Sequence, residues 1–386
     1  MPRSTYVTLA LLLAFSSLAS AQKKVVCYYG SWANYRTGVA QFNVTNIDPF
    51  LCTHVIYAFI GANTNGTVKI LDSWNDVSLN GFKDFNNLRL KNANLKTMVA
   101  LGGWSEGSAT YSTICNNVAL RTAFVTNLYN FLVKWGFNGL DIDWEYPAQR
   151  GGIAADKANF ASLIKELRAK FTPANLLLSA AFSADINSYG TSYDVPTLAT
   201  NLDFINLMTY DFHSYGDGKS GENSPLYAAS IDTDKTMNSD ATVQYWIKQG
   251  VDKMKIVLGV PLYGRSFTLK SATSNGLGAV TVGAGALGPW SQEAGLLMFS
   301  EICMYQKNQT GWTVQWNAAQ QVPYAYRSTL WVGYENKQSV EVKGKYAKDN
   351  GLGGVMVWAI DYEDFRNFCG GGKFPLISAL KANFTA

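Results

Sequence analysis

Residues Phe137–Pro147 read F-N-G-L-D-I-D-W-E-Y-P, and three acids alternate in this segment with large apolar side chains. Side chains two positions apart lie on the same face of a β-strand. The pattern therefore predicts a strand over 139–145 that carries Asp141, Asp143 and Glu145 on one face and apolar residues on the other. In a barrel strand these acids would face the interior, and Glu145 would stand at the carboxyl end, where barrel enzymes do their chemistry.

The three acids have two competing explanations. On a solvent-facing strand the charges would alternate by chance, but three like charges opposite a strongly apolar face are costly in a purely structural strand. Asp-x-Asp-x-Glu could also hold calcium, but calcium loops are polar and supply further oxygen ligands. This segment is an apolar strand, so we expect no bound metal.

Short β-branched runs recur on both sides of this segment, each followed by a longer and more polar stretch. Several runs are nearly continuous in apolar residues, as in parallel strands covered on both faces. Helical spacing of apolar residues over Phe124–Trp135 and Ala155–Phe171 suits crossover helices. Eight such units predict an α/β fold, a (β/α)8 TIM barrel, with an open doubly wound sheet as the alternative. The runs are Lys24–Tyr29, Thr53–Ile60, Thr97–Leu101, Gly139–Glu145, Leu176–Ala181, Phe204–Thr209, Lys255–Val260 and Gly354–Ile360.

One interval breaks this rhythm. The chain between Val260 and Gly354 is too long for one loop and one helix, and Ser266–Tyr334 is rich in Gly, Thr, Val, Trp and Tyr. We predict a small inserted α+β domain over about 266–338, between strands seven and eight, beside the barrel mouth.

The composition limits the class of protein. The chain has 386 residues, with 32 Lys and Arg against 28 Asp and Glu, and 16% of its residues are charged. Disordered chains combine low hydrophobicity with high net charge, and nucleic-acid binders carry basic patches or runs, so neither class fits. With only His54 and His213, the sequence offers few candidates for a zinc site or a His-based triad.

Residues 1–21 have the features of a secretory signal. Arg3 supplies the positive start, Leu9–Phe15 the apolar centre, and Ala19–Ala21 a small-residue cleavage site. An N-terminal membrane anchor is the alternative, but the apolar centre is too short to span a bilayer. We expect cleavage before Gln22, an extracellular mature chain of residues 22–386, and no second membrane span.

Secretion makes the cysteines and the sequons informative. An oxidising compartment favours disulfides, and five cysteines cannot all pair within one chain. Four N-x-[ST] sequons are candidate glycosylation sites. These are Asn43, Asn65, Asn308 and Asn383.

Closely spaced carboxyl groups cannot all ionise cheaply, so at least one pKa is raised and a proton is shared. A carboxylic acid that stays protonated near neutral pH can act as a general acid, which suits Glu145 for protonating a glycosidic oxygen. No second carboxylate is evidently placed across the substrate. Some glycosidases avoid the two-carboxylate scheme by using a group of the substrate itself.

The segment Phe137–Pro147 resembles the signature of glycoside hydrolase family 18, in which D-x-x-D-x-D-x-E closes the fourth barrel strand. Further segments resemble other family motifs in the expected order. The likeness covers essentially the whole mature chain and is closest to animal chitinases of the chitotriosidase and acidic mammalian chitinase type. The further segments are Lys96–Trp104 on strand three, Met208–His213 on strand six, Gly259–Phe267 at the entry to the inserted domain, and Gly353–Ala359 on strand eight.

The resemblance implies substrate-assisted hydrolysis of β-1,4-linked N-acetylglucosamine with retention, without a cofactor and with endo action. Glu145 would protonate the leaving oxygen while the acetamido oxygen of the sugar attacks the anomeric carbon and forms an oxazolinium ion. Asp143 would turn to stabilise that ion, and Asp141 would hold Asp143 before the turn. Tyr210 and Asp211 would orient the acetamido group.

The family motifs also mark residues that would contact the sugars. Pyranose faces are apolar, so flat rings would form platforms for them, with Trp358 under the reacting sugar. The expected partner is chitin or a chito-oligosaccharide, bound by a monomer, with no nucleic acid and no membrane after signal cleavage. The implied substrate-binding residues are Tyr28, Trp32, Phe59, Ser73, Trp74, Gly102, Gly103, Trp104, Ser105, Tyr146, Ala181, Met208, Tyr263, Arg265, Glu293 and Trp358.

The same resemblance implies two disulfides, Cys27 with Cys52 and Cys303 with Cys369, and leaves Cys115 as a buried thiol. The sequence departs from the family pattern at four positions, of which Asn138 replaces the first Asp of the signature. The others are Ser105, Ser214 and Leu296.

The intact acids predict an enzyme. The competing class is a non-catalytic chitin-binding lectin or growth-factor-like protein on the same scaffold, in which the catalytic Glu is typically replaced, whereas Glu145 is present here. A third interpretation is a barrel hydrolase acting on another N-acetylglucosamine glycan.

Overall fold

The computed structural model describes residues 23–386, so the predicted secretory signal over 1–21 lies outside the described residues. The strands in chain order are β1 Lys24–Gly30, β2 His54–Ala62, β3 Val68–Ile70, β4 Lys96–Gly102, β5 Gly139–Asp143, β6 Leu177–Ser183, β7 Phe204–Met208, β8 Ile256–Pro261, β9 Tyr263–Leu269, β10 Thr281–Ala284, β11 Leu296–Met298, β12 Thr313–Asn317, β13 Val322–Arg327, β14 Leu330–Gly333 and β15 Gly354–Trp358. The α-helices are α1 Gly81–Asn87, α2 Ala109–Asn116, α3 Val118–Trp135, α4 Asp156–Phe171, α5 Tyr189–Ser192, α6 Val195–Asn201, α7 Ser239–Lys248, α8 Phe299–Asn308, α9 Lys337–Asp349 and α10 Pro375–Thr385.

Eight parallel strands close into a barrel. Their order is β1, β2, β4, β5, β6, β7, β8 and β15, and β15 pairs with β1 to complete the ring. Lys24 faces Gly354 in the closing pair. The closure confirms the predicted (β/α)8 barrel over the open sheet, and β3 is an additional antiparallel strand on β2.

The barrel strands form where the sequence has its continuous apolar runs, because both faces of each strand are covered. Every residue of β5, β7 and β8 is buried. The predicted strand over 139–145 extends two residues too far at its carboxyl end. Strand β5 stops at Asp143, the last residue with a partner on β4, so Glu145 follows the strand instead of lying in it.

Helices α3 and α4 correspond to the two predicted crossover helices. The side chain of Asn117 caps α3 by accepting a hydrogen bond from the backbone N–H of Leu120. The helix is followed by Gly136, whose φ of 76° ends it. Arg121 on α3 pairs with Glu166 on α4 at 2.7 Å, which joins the two helices outside the barrel.

The chain between β8 and β15 forms a second, antiparallel sheet with helix α8. Its strand order is β10, β9, β14, β13 and β12, and β11 also pairs with β9. The sheet begins at Tyr263, three residues earlier than predicted, because β9 starts only two positions after Pro261, the last residue of β8. That these elements form a separate domain stays a prediction.

Two disulfides are present: Cys27–Cys52 joins the middle of β1 to the segment just before β2, and Cys303–Cys369 joins α8 to the segment after β15. Cys115 is a free, buried cysteine. None of the helices within residues 23–386 has the combination of length and apolar character that crossing a membrane requires.

Candidate active site

Asp141 lies at the centre of the barrel and is fully buried. Its Oδ2 accepts a hydrogen bond of 2.6 Å from the Tyr28 hydroxyl on β1. Its Oδ1 accepts from Ser179 on β6 at 2.6 Å and from Asn206 on β7 at 3.1 Å. Burial raises the pKa of Asp141 to about 6, and these three donors limit the rise because they favour the ionised form.

The sequence analysis missed Ser179 and Asn206. Each is an isolated polar residue inside an otherwise apolar barrel strand, with the local sequences LLSAAFS and FINLM. A buried polar side chain needs a hydrogen-bond partner. A single polar residue in a continuous apolar strand was therefore a usable signal for a group that faces a buried acid.

Asp143 is the next acid on the same face of β5 and is 4% exposed. Its Oδ1 is buried and finds no hydrogen-bond partner in the described part of the chain. Burial raises its pKa well above the usual range, and the charges of Glu145 and Asp141 add to the rise. Burial without a partner therefore favours the protonated form of Asp143.

Glu145 is partly exposed and lies two residues beyond the end of β5. Burial raises its pKa to about 7, while a hydrogen bond from Tyr146 and the charge of Arg150 oppose the rise and Asp211 adds to it. A carboxyl group with a pKa near neutral can both donate and accept a proton at moderate pH. The arrangement provides one such group next to two buried acids.

Gly102 and Gly103 bring the end of β4 close to this site. Their φ angles are 117° and 85°, and Gly103 N–H donates to the Asp143 carbonyl oxygen at 2.8 Å. A Cβ atom on Gly102 would overlap the Asp143 carbonyl oxygen, and one on Gly103 would lie 2.7 Å from the Phe59 ring. Only glycine fits both positions.

Tyr210 and Asp211 follow β7. Tyr210 is buried, and its hydroxyl lies 3.9 Å from the Met356 sulfur. Burial raises the Tyr210 pKa well above its usual range, and the neighbouring carboxylates, Asp143 first, add to this. The phenol is therefore a hydrogen-bond donor beside the acids.

Asp211 has a left-handed backbone with φ of 60°. Its Oδ1 accepts from the Tyr263 hydroxyl at 2.7 Å and from Arg265 Nε at 2.6 Å, and its backbone N–H donates to Asn223 at 3.0 Å. Arg265 also lies 3.9 Å from Glu293. The second sheet thus supplies side chains that fix a residue of the barrel mouth. Asn223 was not predicted.

Three aromatic rings stack at the barrel mouth, and we call Trp32, Phe59 and Trp358 the aromatic floor. Trp32 and Phe59 have ring centroids 6.0 Å apart and an interplanar angle of 16°. Phe59 and Trp358 are 5.6 Å apart, and Trp32 and Trp358 are 6.2 Å apart. Tyr28 packs against Trp358 at 5.4 Å, which links the floor to Asp141.

Two further tryptophans lie open to solvent. Trp104, 62% exposed, carries the Arg150 guanidinium group 3.5 Å from its ring centre. Arg150, which the sequence analysis did not single out, also donates to the backbone oxygens of Trp104 and Glu145. Trp74, 61% exposed, follows Ser73 and begins a short π-helix, Trp74–Ser78, after β3.

The other implied contacts lie at the carboxyl ends of the barrel strands or just beyond them. Ala181 is buried in β6, and Met208 is the last residue of β7. Tyr146 follows Glu145 directly, and its carbonyl oxygen accepts from Ser108 at 2.8 Å. Ser105 is exposed next to Trp104.

Within residues 23–386, one group of acids and thiols has the spacing of a metal site: Cys303, Asp364 and Cys369. Both sulfurs of that group already form the Cys303–Cys369 disulfide. The acids of the barrel are not such a group.

A barrel with buried acids at the carboxyl end of one strand, linked through Tyr28 to a set of stacked aromatic rings, is typical of a carbohydrate-processing hydrolase. Residues 24–363 match the family Glycosyl hydrolases family 18. The chain belongs to this family of glycoside hydrolases.

Its relatives are described as chitinases or as chitinase-like proteins. It is 39% identical to chitotriosidase-1 of Mus musculus over 368 residues, which is 93% of this chain and 77% of the relative. The Ostrinia furnacalis group IV chitinase in complex with allosamidin is 42% identical with a TM-score of 0.93, over 94% of this chain and 99% of that chain. Human YKL-39, described as a pseudo-chitinase with retained chitooligosaccharide binding properties, is 36% identical with a TM-score of 0.88. The match covers 94% of this chain and 100% of that chain.

Proposed function

We propose that this protein is a secreted chitinase that hydrolyses β-1,4-linked N-acetylglucosamine polymers by endo action. The observation that carries the proposal is the row of acids on and after β5, in which Asp141 and Asp143 are buried and the pKa of Glu145 is raised to about 7. Chitinase relatives and a neighbour bound to allosamidin support the substrate class. We further propose signal cleavage before Gln22 and action as a monomer without a cofactor.

In the proposed reaction Glu145 donates its proton to the glycosidic oxygen as the bond to the anomeric carbon breaks. The acetamido oxygen of the same sugar forms the new bond to that carbon from the opposite side and gives an oxazolinium ion. Water then gives a proton to Glu145 and attacks the anomeric carbon. The bond from that carbon to the acetamido oxygen breaks, the acetamido group is restored, and the two inversions retain the configuration. The enzyme needs one acid at the leaving group because the substrate supplies the nucleophile.

The buried acids stabilise the charge that develops on the sugar. Asp143 has a carboxyl oxygen without a partner in the described structure, so it is free to turn toward the acetamido N–H. Once its proton has passed to Asp141, the ionised carboxylate of Asp143 balances the oxazolinium charge. Asp141 is kept ionised in the resting enzyme by its three donors, and it takes up the proton of Asp143 when Asp143 turns. Tyr210 is the donor to the acetamido oxygen. Asp211, held by Tyr263 and Arg265, helps to orient the acetamido group.

The aromatic floor would bind the apolar faces of successive sugars, with Trp358 under the reacting one. Exposed Trp104 and Trp74 would extend the platform in the two directions of the cleft. An open row of this kind suits a long polymer better than a short glycan end. This favours chitin over other N-acetylglucosamine glycans.

The proposal is tested with N-acetylglucosamine hexamer, comparing wild type with Glu145→Gln. Loss of the general acid should reduce kcat by at least about 100-fold, while the variant still binds the hexamer by calorimetry. The matched control is Glu166→Gln, which changes a carboxylate on the outside of the barrel and should leave kcat unchanged.

The competing function is that of a lectin, favoured by the similarity to YKL-39. Wild type that binds hexamer but releases no product anywhere between pH 3 and 9 would establish it. Faster cleavage of a chitobiose-core glycan than of hexamer would point instead to another N-acetylglucosamine substrate. Amino-terminal sequencing of the secreted protein should begin at Gln22.

A further inference from the structure

A single buried carboxylate holds both ends of the segment Gly30–Arg36. Asp361 Oδ1 accepts the backbone N–H of Gly30 at 2.9 Å, and Oδ2 accepts from Arg36 Nη2 at 2.7 Å. Arg36 Nη1 also donates to the Asp361 carbonyl oxygen at 3.0 Å. The Asp361 side chain is fully buried and that of Arg36 is 9% exposed.

Trp32 lies between the two anchored ends. A Cβ atom on Gly30 would lie 2.9 Å from the Trp32 ring, so the indole packs directly on the Gly30 backbone. Asp361 follows Trp358 by three residues. The ion pair therefore joins the end of β1, which carries one ring of the aromatic floor, to the end of β15, which carries another.

Stability alone does not explain this pair. Replacing a buried ion pair by apolar residues of similar size is often neutral or stabilising, and a specific geometry is one reason to keep the charges. The planar guanidinium group bonds both to the carboxylate and to the carbonyl oxygen of Asp361, which Lys cannot reproduce with one ammonium group. It also lies 5.1 Å from the centre of the Tyr362 ring.

We propose that Arg36 and Asp361 are positioning residues that fix Trp32 against Trp358 and so set the spacing of two sugar platforms. This inference rests on the proposed function, because it assigns the pair to chito-oligosaccharide binding. Neither residue bonds to Asp141, Asp143 or Glu145. Loss of the pair should therefore weaken hexamer binding without slowing the chemical step.

The experiment is a double-mutant cycle of Arg36→Lys and Trp32→Ala, with KM and kcat measured on N-acetylglucosamine hexamer. Arg36→Lys should raise KM at least about threefold, within the range of coupling between residues in one network, with kcat changed less than twofold. In the Trp32→Ala background the same substitution should have no further effect on KM. A purely structural role would not produce this dependence on Trp32.

The chain offers a matched control in Arg121. It too is mostly buried, donating to Glu166 at 2.7 Å and to the Cys115 carbonyl oxygen at 2.6 Å. It lies on α3 outside the barrel, so Arg121→Lys should lower thermal stability to a similar extent and leave the hexamer KM unchanged.

The inference would be overturned if Arg36→Lys raised KM just as much in the Trp32→Ala background as in wild type. It would also be overturned if Arg121→Lys raised KM equally, or if Arg36→Lys lowered kcat and left KM unchanged. Should Arg36→Lys not fold, Asp361→Asn, which keeps an acceptor for Gly30 N–H, takes its place in the same cycle. A wild-type protein that neither cleaves nor binds hexamer would contradict the proposed function. In that case the pair would still be tested by the fluorescence of Trp32, isolated among the eleven tryptophans as the difference between each protein and its Trp32→Phe counterpart; Arg36→Lys should change this difference and Arg121→Lys should not.

Discussion

The Tyr28 hydroxyl lies 2.6 Å from Asp141 Oδ2, so strand β1 contacts strand β5 through the barrel interior. Ser179 and Asn206 complete a ring of donors around Asp141, whereas Asp143 Oδ1 has no partner in the described structure. Hydrogen bonds to a carboxylate favour its charged form. These donors therefore favour negative charge on Asp141 over Asp143 in the resting enzyme.

Removing a donor from Asp141 should move the acid limb of the pH–rate profile. In Ser179→Ala the carboxylate loses a 2.6 Å bond, so its pKa should rise above about 6 and the acid limb should shift to higher pH by about half a unit or more. Measuring kcat/KM from pH 3 to 7 tests this. Ser112→Ala removes a similar buried bond, to Asp156 at 2.7 Å, and should leave the limb in place. An unshifted limb in Ser179→Ala would refute the role given to this bond.

The alkaline limb should report Glu145. A general acid works only when protonated, and burial sets its pKa at about 7. Activity should therefore be highest between the acid limb of Asp141 and the pKa of Glu145, and above that pKa it should fall about tenfold per pH unit. Assays of hexamer cleavage from pH 5 to 9 check the limb, and activity that remains level to pH 9 would argue against Glu145 as the acid.

Gly102→Ala should disrupt the site. The new Cβ atom would overlap the Asp143 carbonyl oxygen, and φ is 117°, so we expect a loss of about 2–4 kcal/mol from strain and overpacking. Thermal unfolding and hexamer cleavage measure both effects. Gly190→Ala is the control, because nothing lies within 4 Å of its added Cβ; equal effects of the two changes would contradict the close-approach explanation.

His54 should make the fold sensitive to acid. Burial lowers its pKa to about 3, with Lys24 and Lys96 contributing, whereas an unfolded His titrates near 6.5. Between these values the unfolded state binds the extra proton, so this stability contribution is complete above pH 6.5 and is lost as pH falls toward 3. The free energy of unfolding of His54→Gln should depend less steeply on pH than that of wild type.

Asn138 occupies the position of the first Asp of the family signature, but it lies at the opposite end of β5 from the chemistry. Its Oδ1 accepts a hydrogen bond from the Thr97 backbone N–H at 3.0 Å, and Asp143 lies five positions further on, about 17 Å along a strand. We expect Asn138→Asp to leave the pH–rate profile of hexamer cleavage unchanged. A shift in either limb would show that this end of the strand is electrostatically coupled to the site.

The barrel strands were predictable because burial on both faces leaves a run of apolar residues in the sequence itself. The residue at which β5 ends could not be predicted, since it depends on where β4 stops pairing with it, at Gly102 opposite Asp143. The row of carboxylates could also be predicted, because Asp141, Asp143 and Glu145 stand at alternate positions in the sequence. The partners of Asp141 come from other strands, and Arg36 and Asp361 are 325 positions apart, so no local pattern connects them.

The pairing of Lys24 with Gly354 has a consequence for biosynthesis. At about 5–20 residues per second, the ribosome needs roughly 15–65 s to pass from one to the other. During that time the first strand has one edge without its final neighbour, and such edges invite association with other chains. The nascent polypeptide therefore depends on protection of that edge until its last barrel strand emerges, and a chain stalled before residue 354 would leave the ring open.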